Sequence, residues 1–320
     1  MTPEAILSTI ETLLPQIIAG LANGMVLFIV SSGLTLVFGV LRVINFAHGS
    51  LYMIGAFIAV TIAGYFTSEA MGLYMAIILV PLIVAGLGFI LERFLFRPIY
   101  DKEHLLQLLL TYGLTLILGD LARIIWGGDI YRLSRPDFLS GRWTLIDTTF
   151  GDVDFRLRLL KVDVALLIIG VLIAIGLWFL LQRTRFGRIT RAAVANPEML
   201  SALGINVDRV FTLSFMLGAW LAGLGGALVA TKQSVSLGMD AEIIVQAFAI
   251  VVIGGLGSFV GALIGSLLVG ITLSLGIILP SIAPAPFDAF FAAIPAQALP
   301  FLAMAIILIA RPWGLLGKPE

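Results

Sequence analysis

The sequence contains no cysteine and only two histidines, His48 and His104. Disulfide staples and thiolate metal sites are therefore excluded, and little remains for an imidazole metal site or a Ser-His-Asp mechanism. Charge is scarce: 12% of the 320 residues are Asp, Glu, Lys or Arg, about half the share of ordinary soluble domains. Nineteen basic residues balance nineteen acidic ones, so nothing points to a nucleic-acid partner. The phosphate loop GxxxxGK[ST] is missing. Residues 1–13 hold Glu4 and Glu11 but no Lys or Arg; without the basic start of a cleaved signal peptide, the first apolar run is expected to be kept.

What the chain has instead is apolar length. Sixty per cent of its residues are hydrophobic and 34 are glycine, the composition of helices that must approach closely in lipid. A span needs about 20 apolar residues at about 1.5 Å each. Such runs fit near 13–41, 50–67, 73–91, 105–125, 163–181, 210–230 and 289–310. The run Ile243–Leu279 has 37 uncharged residues, about 55 Å as a helix and too long for one crossing. Gly254-Gly255-Leu256-Gly257-Ser258 is its natural break, leaving a short piece near 243–256 that is tilted, broken or re-entrant. The expected fold is an all-α transmembrane bundle of about nine spans (eight to ten), with broken or short helices and an internal inverted repeat. Residues 1–320 form one membrane domain, with an extracytoplasmic loop over 127–161 and a cytoplasmic loop over 182–209.

Orientation follows from the basic residues. One side carries Arg42, Arg93, Arg97, Lys102, Arg183, Arg185, Arg188, Arg191, Arg209, Arg311 and Lys318. The other carries Lys232 and six more in the 127–161 loop, diluted by five aspartates. Eleven against seven places the N-terminus outside and the C-terminus in the cytoplasm, in a bacterial inner membrane.

Inside the spans no catalytic, cofactor or metal set is visible. Asp120 with Arg123 reads as an interfacial ion pair, and Glu92 with Arg93 as a solvated membrane edge. Nothing resembles the buried relay of an ion-coupled transporter. Gly257, Gly261 and Gly265, like Gly218, Ala222 and Gly226, recur every four residues as smooth stripes for neighbouring helices. Uncharged polar residues repeat too: Gln107, Thr111 and Thr115 share one helix face, and Ser31 and Thr35 another. These stripes admit two readings, the wall of a solute path or hydrogen bonding between helices.

Two polar interruptions remain. Asn45-Phe46-Ala47-His48-Gly49 is expected to turn the chain between the first two spans, with Gly49 permitting a tight bend and Asn45 and His48 satisfying backbone groups. In Gln182–Arg209, Asn196 is a good N-cap, Pro197 and Glu198 suit the first helical turn, and Gly204 suits C′. A short helix near 197–203 follows, preceded by a basic stretch with Arg185, Arg188 and Arg191. A helix of two turns is marginal alone, so it is expected to dock on a partner; lying on anionic headgroups is the alternative. In the 127–161 loop, Val153, Phe155 and Leu157 alternate with polar residues after Gly151-Asp152, a strand that a hairpin with Trp143–Phe150 would pair.

"GLTLVFGVLRVINFAHGSLYMIGAF", "GRITRAAVANPEMLSALGINVDRVFTLSFMLGAWLAGLGGAL" and "FAIVVIGGLGSFVGALIGSLLVG" resemble the LivH-type permeases of branched-chain amino acid ABC importers, in order and over nearly the whole chain. The resemblance implies a permease that is not an enzyme, with ATP bound by partner subunits and no cofactor of its own. It implies a second related permease, two cytoplasmic ATPases and an extracytoplasmic solute-binding protein as partners. Arg185, Arg188, Arg191, Asn196, Glu198, Ala202, Leu203 and Gly204 would then form the ATPase-coupling segment, and Ser31, Thr35, Gln107, Thr111 and Thr115 the translocation path. The alternatives are the same type of permease for another small solute, such as urea, a short amide or an organic acid, or a secondary transporter.

Overall fold

A computed structural model describes residues 3–41, 43–100, 102–150, 153–282 and 294–317. The helices are α1 (Pro3–Leu41), α2 (Ala47–Gly64), α3 (Glu69–Leu91), α4 (His104–Trp126), α5 (Lys161–Arg183), α6 (Arg185–Ala195), α7 (Pro197–Ala202), α8 (Val207–Val229), α9 (Met239–Gly254), α10 (Phe259–Ile282) and α11 (Leu299–Ala310). Seven of them, α1 to α5, α8 and α10, are long and apolar enough to cross a membrane. With the shorter α9 and α11 they account for the nine expected segments, although 289–293 of the last run lie outside the described residues, as do Arg42, Lys318 and the Gly151-Asp152 turn. The break in the long run falls where the glycines stand. α9 stops at Gly254, Gly255 and Gly257 take φ of 95° and 78°, and α10 starts at Phe259. Only glycine adopts such backbone at no steric cost, so Gly257 belongs to the break and not to a helical stripe.

α8 is the central helix. Its glycines lie against α1, α2 and α3: a Cβ on Gly218 would meet Val37, one on Gly223 would meet Val84, and one on Gly226 the Tyr52 carbonyl. α1 packs on α10 in the same way, with Gly20 and Gly24 against the backbone at Ile271 and Ser266. Close backbone approach is what small residues provide when lipid removes the hydrophobic driving force between helices. α4 and α5 stand at the periphery, with Leu105, Leu109, Ile124, Leu172 and Phe179 exposed, as a lipid-facing surface requires.

The extramembrane loop forms an antiparallel hairpin, β1 (Arg142–Phe150) and β2 (Val153–Leu160), with a bulge between Thr144 and Ile146. Phe155, Leu157 and Leu159 are buried where β2 packs on the N-terminal turns of α1. The alternation read from the sequence is therefore a strand with one covered face. At the same end of the bundle, Lys232 Nζ lies 2.5 Å from Asp163 Oδ1 and 2.8 Å from Asn23 Oδ1, linking the turn that follows α8 to α5 and α1.

The Asn45–Gly49 segment departs from expectation. α1 ends at Leu41, yet His48 Nε2 lies 2.9 Å from the Val30 carbonyl. Val30 precedes Leu41 by eleven positions, about 16 Å of helix. The link thus climbs back along α1, and α2 begins inside the bundle rather than at its surface. His48 and Gly49 are already helical, and Gly49 has no left-handed φ. It is small because the Asp240 carbonyl and Ile244 of α9 press on it. The Asn45 side chain is buried and bonds no backbone group.

α9 starts at the same depth as α2. Ser50 Oγ donates to Asp240 Oδ2 at 3.2 Å, and Asp240 is buried in the first turn of α9. A carboxylate between two helix N-termini is stabilised by both dipoles, which explains this acid in an apolar interior. Replacing Gly49 with valine is expected to destabilise the protein by about 1–3 kcal/mol through overpacking. A thermal melt of the detergent-solubilised protein checks this; an unchanged midpoint contradicts it.

Candidate translocation and coupling site

A cavity of about 1170 Å³ lies at the C-terminal end of α1. Its walls include Ser32 and Thr35 on α1, Gln107 on α4, Leu181 and Gln182 at the end of α5, Gly187, Thr190 and Arg191 on α6, and the Gly257-Ser258 break. Thr35 and Gln107, two of the expected path residues, therefore meet around one space. Thr35 Oγ1 donates to the Ser31 carbonyl at 2.7 Å, the usual way for a threonine to satisfy itself within a helix. The amide of Gln107 lies 3.1 Å from the carbonyls of Ile99, Tyr100 and Lys102, holding the chain that links α3 to α4. Ser31, Thr111 and Thr115 do not line the cavity. Thr111 donates toward the Ile44 carbonyl at 3.2 Å, Thr115 bonds the Thr111 carbonyl at 3.0 Å, and the Ser31 hydroxyl is buried without a partner. The structure brings in Ser32 and Thr190, which sequence reading missed. Neither belongs to a repeating stripe, and only the packing of α6 against α1 brings them together.

The 182–209 segment is more ordered than the sequence suggests. Asn196 Oδ1 accepts from Met199 N at 2.9 Å and caps α7. Gly204 closes it at φ 80°, with Ile205 N donating to the Leu200 carbonyl at 3.3 Å, a Schellman-type stop. The basic stretch is itself a helix, α6, capped by Thr184. Its polar and apolar faces separate, so the arginines that read as an extended basic run are one side of an amphipathic helix.

The partner surface expected for so short a helix comes in part from the chain itself. Ala193, Leu200 and Val210 form a small core with Ile189, Ile205 and Phe211. Arg191 also turns back, donating to the Leu181 carbonyl. All eight residues expected to couple, Arg185, Arg188, Arg191, Asn196, Glu198, Ala202, Leu203 and Gly204, are exposed, although Arg191 is turned toward the cavity.

The expected solvated edge at Glu92 is a second departure. Glu92 is fully buried in a π turn, Glu92–Phe96, that extends α3. Tyr100 OH donates to Oε1 at 2.9 Å, and Thr212 Oγ1 lies 2.8 Å from Oε2. Burial, then the charge of Glu92 and the hydrogen bond to it, hold the Tyr100 phenol far above its ordinary range, so it stays protonated and donates. Asp120 and Arg123, by contrast, are both exposed and form no ion pair with each other. In solvent such a pair gains little.

Residues 16–309 match the family described as the permease component of branched-chain amino acid transport systems. The chain is 28% identical to the high-affinity branched-chain amino acid transport system permease protein BraD of Pseudomonas aeruginosa, over 96% of both chains. It is equally similar to LivH of Escherichia coli, again 28% over 96% of both. It is 26% identical to LivM of Salmonella typhimurium over 73% of this chain and 57% of that one. No solved structure matches it. With seven helices among the described residues long and apolar enough to cross a membrane and a family match that runs over 16–309, the chain belongs to the branched-chain amino acid transport system permease components.

Proposed function

We propose that this chain is the membrane subunit of a binding-protein-dependent ABC importer and forms the path for branched-chain or other small hydrophobic amino acids. It works beside a second, related permease, a pairing supported by its similarity to both LivH and LivM. Two cytoplasmic ATPase subunits bind and hydrolyse ATP, and an extracytoplasmic binding protein delivers the solute. The chain itself supplies neither an ATP site nor a cofactor site. The N-terminus and hairpin face outward, and α6, α7 and the C-terminus face the cytoplasm.

One observation carries the reading: α6 walls the cavity on one side and continues into the exposed, capped α7 on the other. A solute leaving through the cavity passes the same element that meets the ATPase, so nucleotide-driven movement of that element changes the exit. Thr35 and Ser32 are the residues to test. Leucine at either site adds apolar bulk at the cavity wall and removes a hydroxyl that bonds a carbonyl of α1. Uptake into proteoliposomes containing the whole complex is expected to fall at least tenfold, with the complex still assembled on a sizing column. Full uptake in both variants overturns the placement of the path. Uptake that follows an ion gradient and ignores ATP and vanadate overturns the importer reading.

A further inference from the structure

Glu92 ends an apolar helix with its carboxylate fully buried and both oxygens engaged. Its partners come from two directions. Tyr100 belongs to the corner between α3 and α4, and Thr212 to the second turn of α8, 120 positions further along the chain. Thr212 Oγ1 also lies 2.9 Å from the Asp208 carbonyl. The hydroxyl has one proton, and the charged acceptor takes it. One turn earlier on α8, Asp208 pairs with Arg97. The rings continue the contact: Tyr100 meets Phe211 edge-on at 5.7 Å, and Phe96 meets Phe215 at 4.8 Å. Positions 208, 211, 212 and 215 form one face of α8. The α3–α4 corner is thus fixed to the first two turns of the helix that leaves α7.

The same corner reaches the cavity. The Tyr100 carbonyl lies 3.1 Å from the Gln107 amide, and Gln107 lines the cavity. The π turn has a role in this. It adds a residue to the helix turn at a helix end, a device found at functional positions, and it is the segment that begins with Glu92.

We propose that Glu92 is the positioning residue of a polar clamp. The clamp makes the α3–α4 corner move with α7 and the start of α8, and so carries displacement of the coupling segment to the Gln107 wall of the cavity. The proposal rests on the importer reading above and adds the route within the chain. Contiguity alone does not establish coupling; a measured loss of coupling does.

The complete complex in nanodiscs provides the test. Thr212→Val keeps the shape of the side chain and removes the donor to Glu92; Glu92→Gln keeps the shape and removes the charge. Both variants are expected to assemble and to hydrolyse ATP at the basal rate within about twofold, while stimulation by the loaded binding protein falls at least tenfold. A second readout follows position directly. Spin labels on cysteines at Leu105 and Leu203, both exposed, report the corner and the end of α7, in a chain with no cysteine of its own. With the clamp intact the label distance stays narrow and unchanged between nucleotide-free and vanadate-trapped states. In either variant it broadens or shifts.

Stimulated hydrolysis and label distance that both match the parent in Thr212→Val overturn the clamp. So does a label distance that changes with nucleotide in the parent. If no ATPase subunit assembles with the parent chain, the importer reading fails, and the clamp is still judged by whether Thr212→Val broadens the distance.

Discussion

Valine at position 204 is expected to leave the permease inserted and folded while abolishing solute-stimulated ATP hydrolysis. Gly204 sits at φ 80° with open space around it, so the added side chain meets no neighbour and the whole effect comes from the backbone. A β-branched residue in that region costs about 1–2 kcal/mol. The α7 stop is the local structure that absorbs it, because Ile205 N and Gly204 N both bond carbonyls of the last turn. The small core of Ala193, Leu200 and Val210 retains α6, so the damage is confined to the exposed end of the segment. Hydrolysis measured in proteoliposomes, with and without loaded binding protein, checks the result. Cysteines at Ala202 or Leu203 give an independent reading by crosslinking to the ATPase. Normal stimulation in the valine variant and no crosslink from either cysteine remove this segment from the coupling role.

The largest stability effect is expected from Lys232→Met. Asp163 is almost wholly buried, its side chain 4% exposed, and Lys232 Nζ lies 2.5 Å from it. Removing one partner of a buried pair leaves the other charged and desolvated, which costs about 3–5 kcal/mol. Asn23 also loses the ammonium that donates to it. A marked fall in the detergent melting midpoint is expected, with most of it regained when Asp163→Asn is added. If the double variant melts no higher than the single one, the loss is one of packing and the ion pair is not its cause.

Local chemistry made much of the fold legible in the sequence. The cap at Asn196, the stop at Gly204 and the break at Gly255 and Gly257 each depend on one residue meeting a backbone requirement, so a short window of sequence suffices. The hairpin declared itself by alternation. What stayed hidden depends on depth and on distant partners. Glu92 reads as a boundary residue because an acid beside an apolar run usually meets water. Its burial is decided by Thr212, far along the chain. Asn45–Gly49 reads as a surface turn because nothing local shows that the link doubles back to Val30. Gly49 reads as the residue that permits a tight bend, whereas its position demands the absence of a side chain. In the candidate site, Thr35 and Gln107 came from helix-face arithmetic, while Ser32 and Thr190 required knowing that α6 packs against α1.

The length of α1 has a mechanical consequence. Its 39 residues make a rod of about 58 Å, running from the hairpin to the cavity wall. Such a rod would act as a lever, except that Pro15 interrupts it. Proline there has no N–H to give to the Glu11 carbonyl four positions back, so the rod is softest at that point. Below it, Gly20 and Gly24 wedge the helix against α10; above it, Glu11 accepts from the Arg156 backbone on β2. The hairpin end of α1 is thus tied to β2 on one side of the proline, and the rest of the helix is seated on α10 on the other. A displacement of the hairpin is therefore expected to be taken up at Pro15 before it reaches the cavity along α1, which leaves the Asp163–Lys232 pair, between α5 and the turn that follows α8, as the stiffer connection.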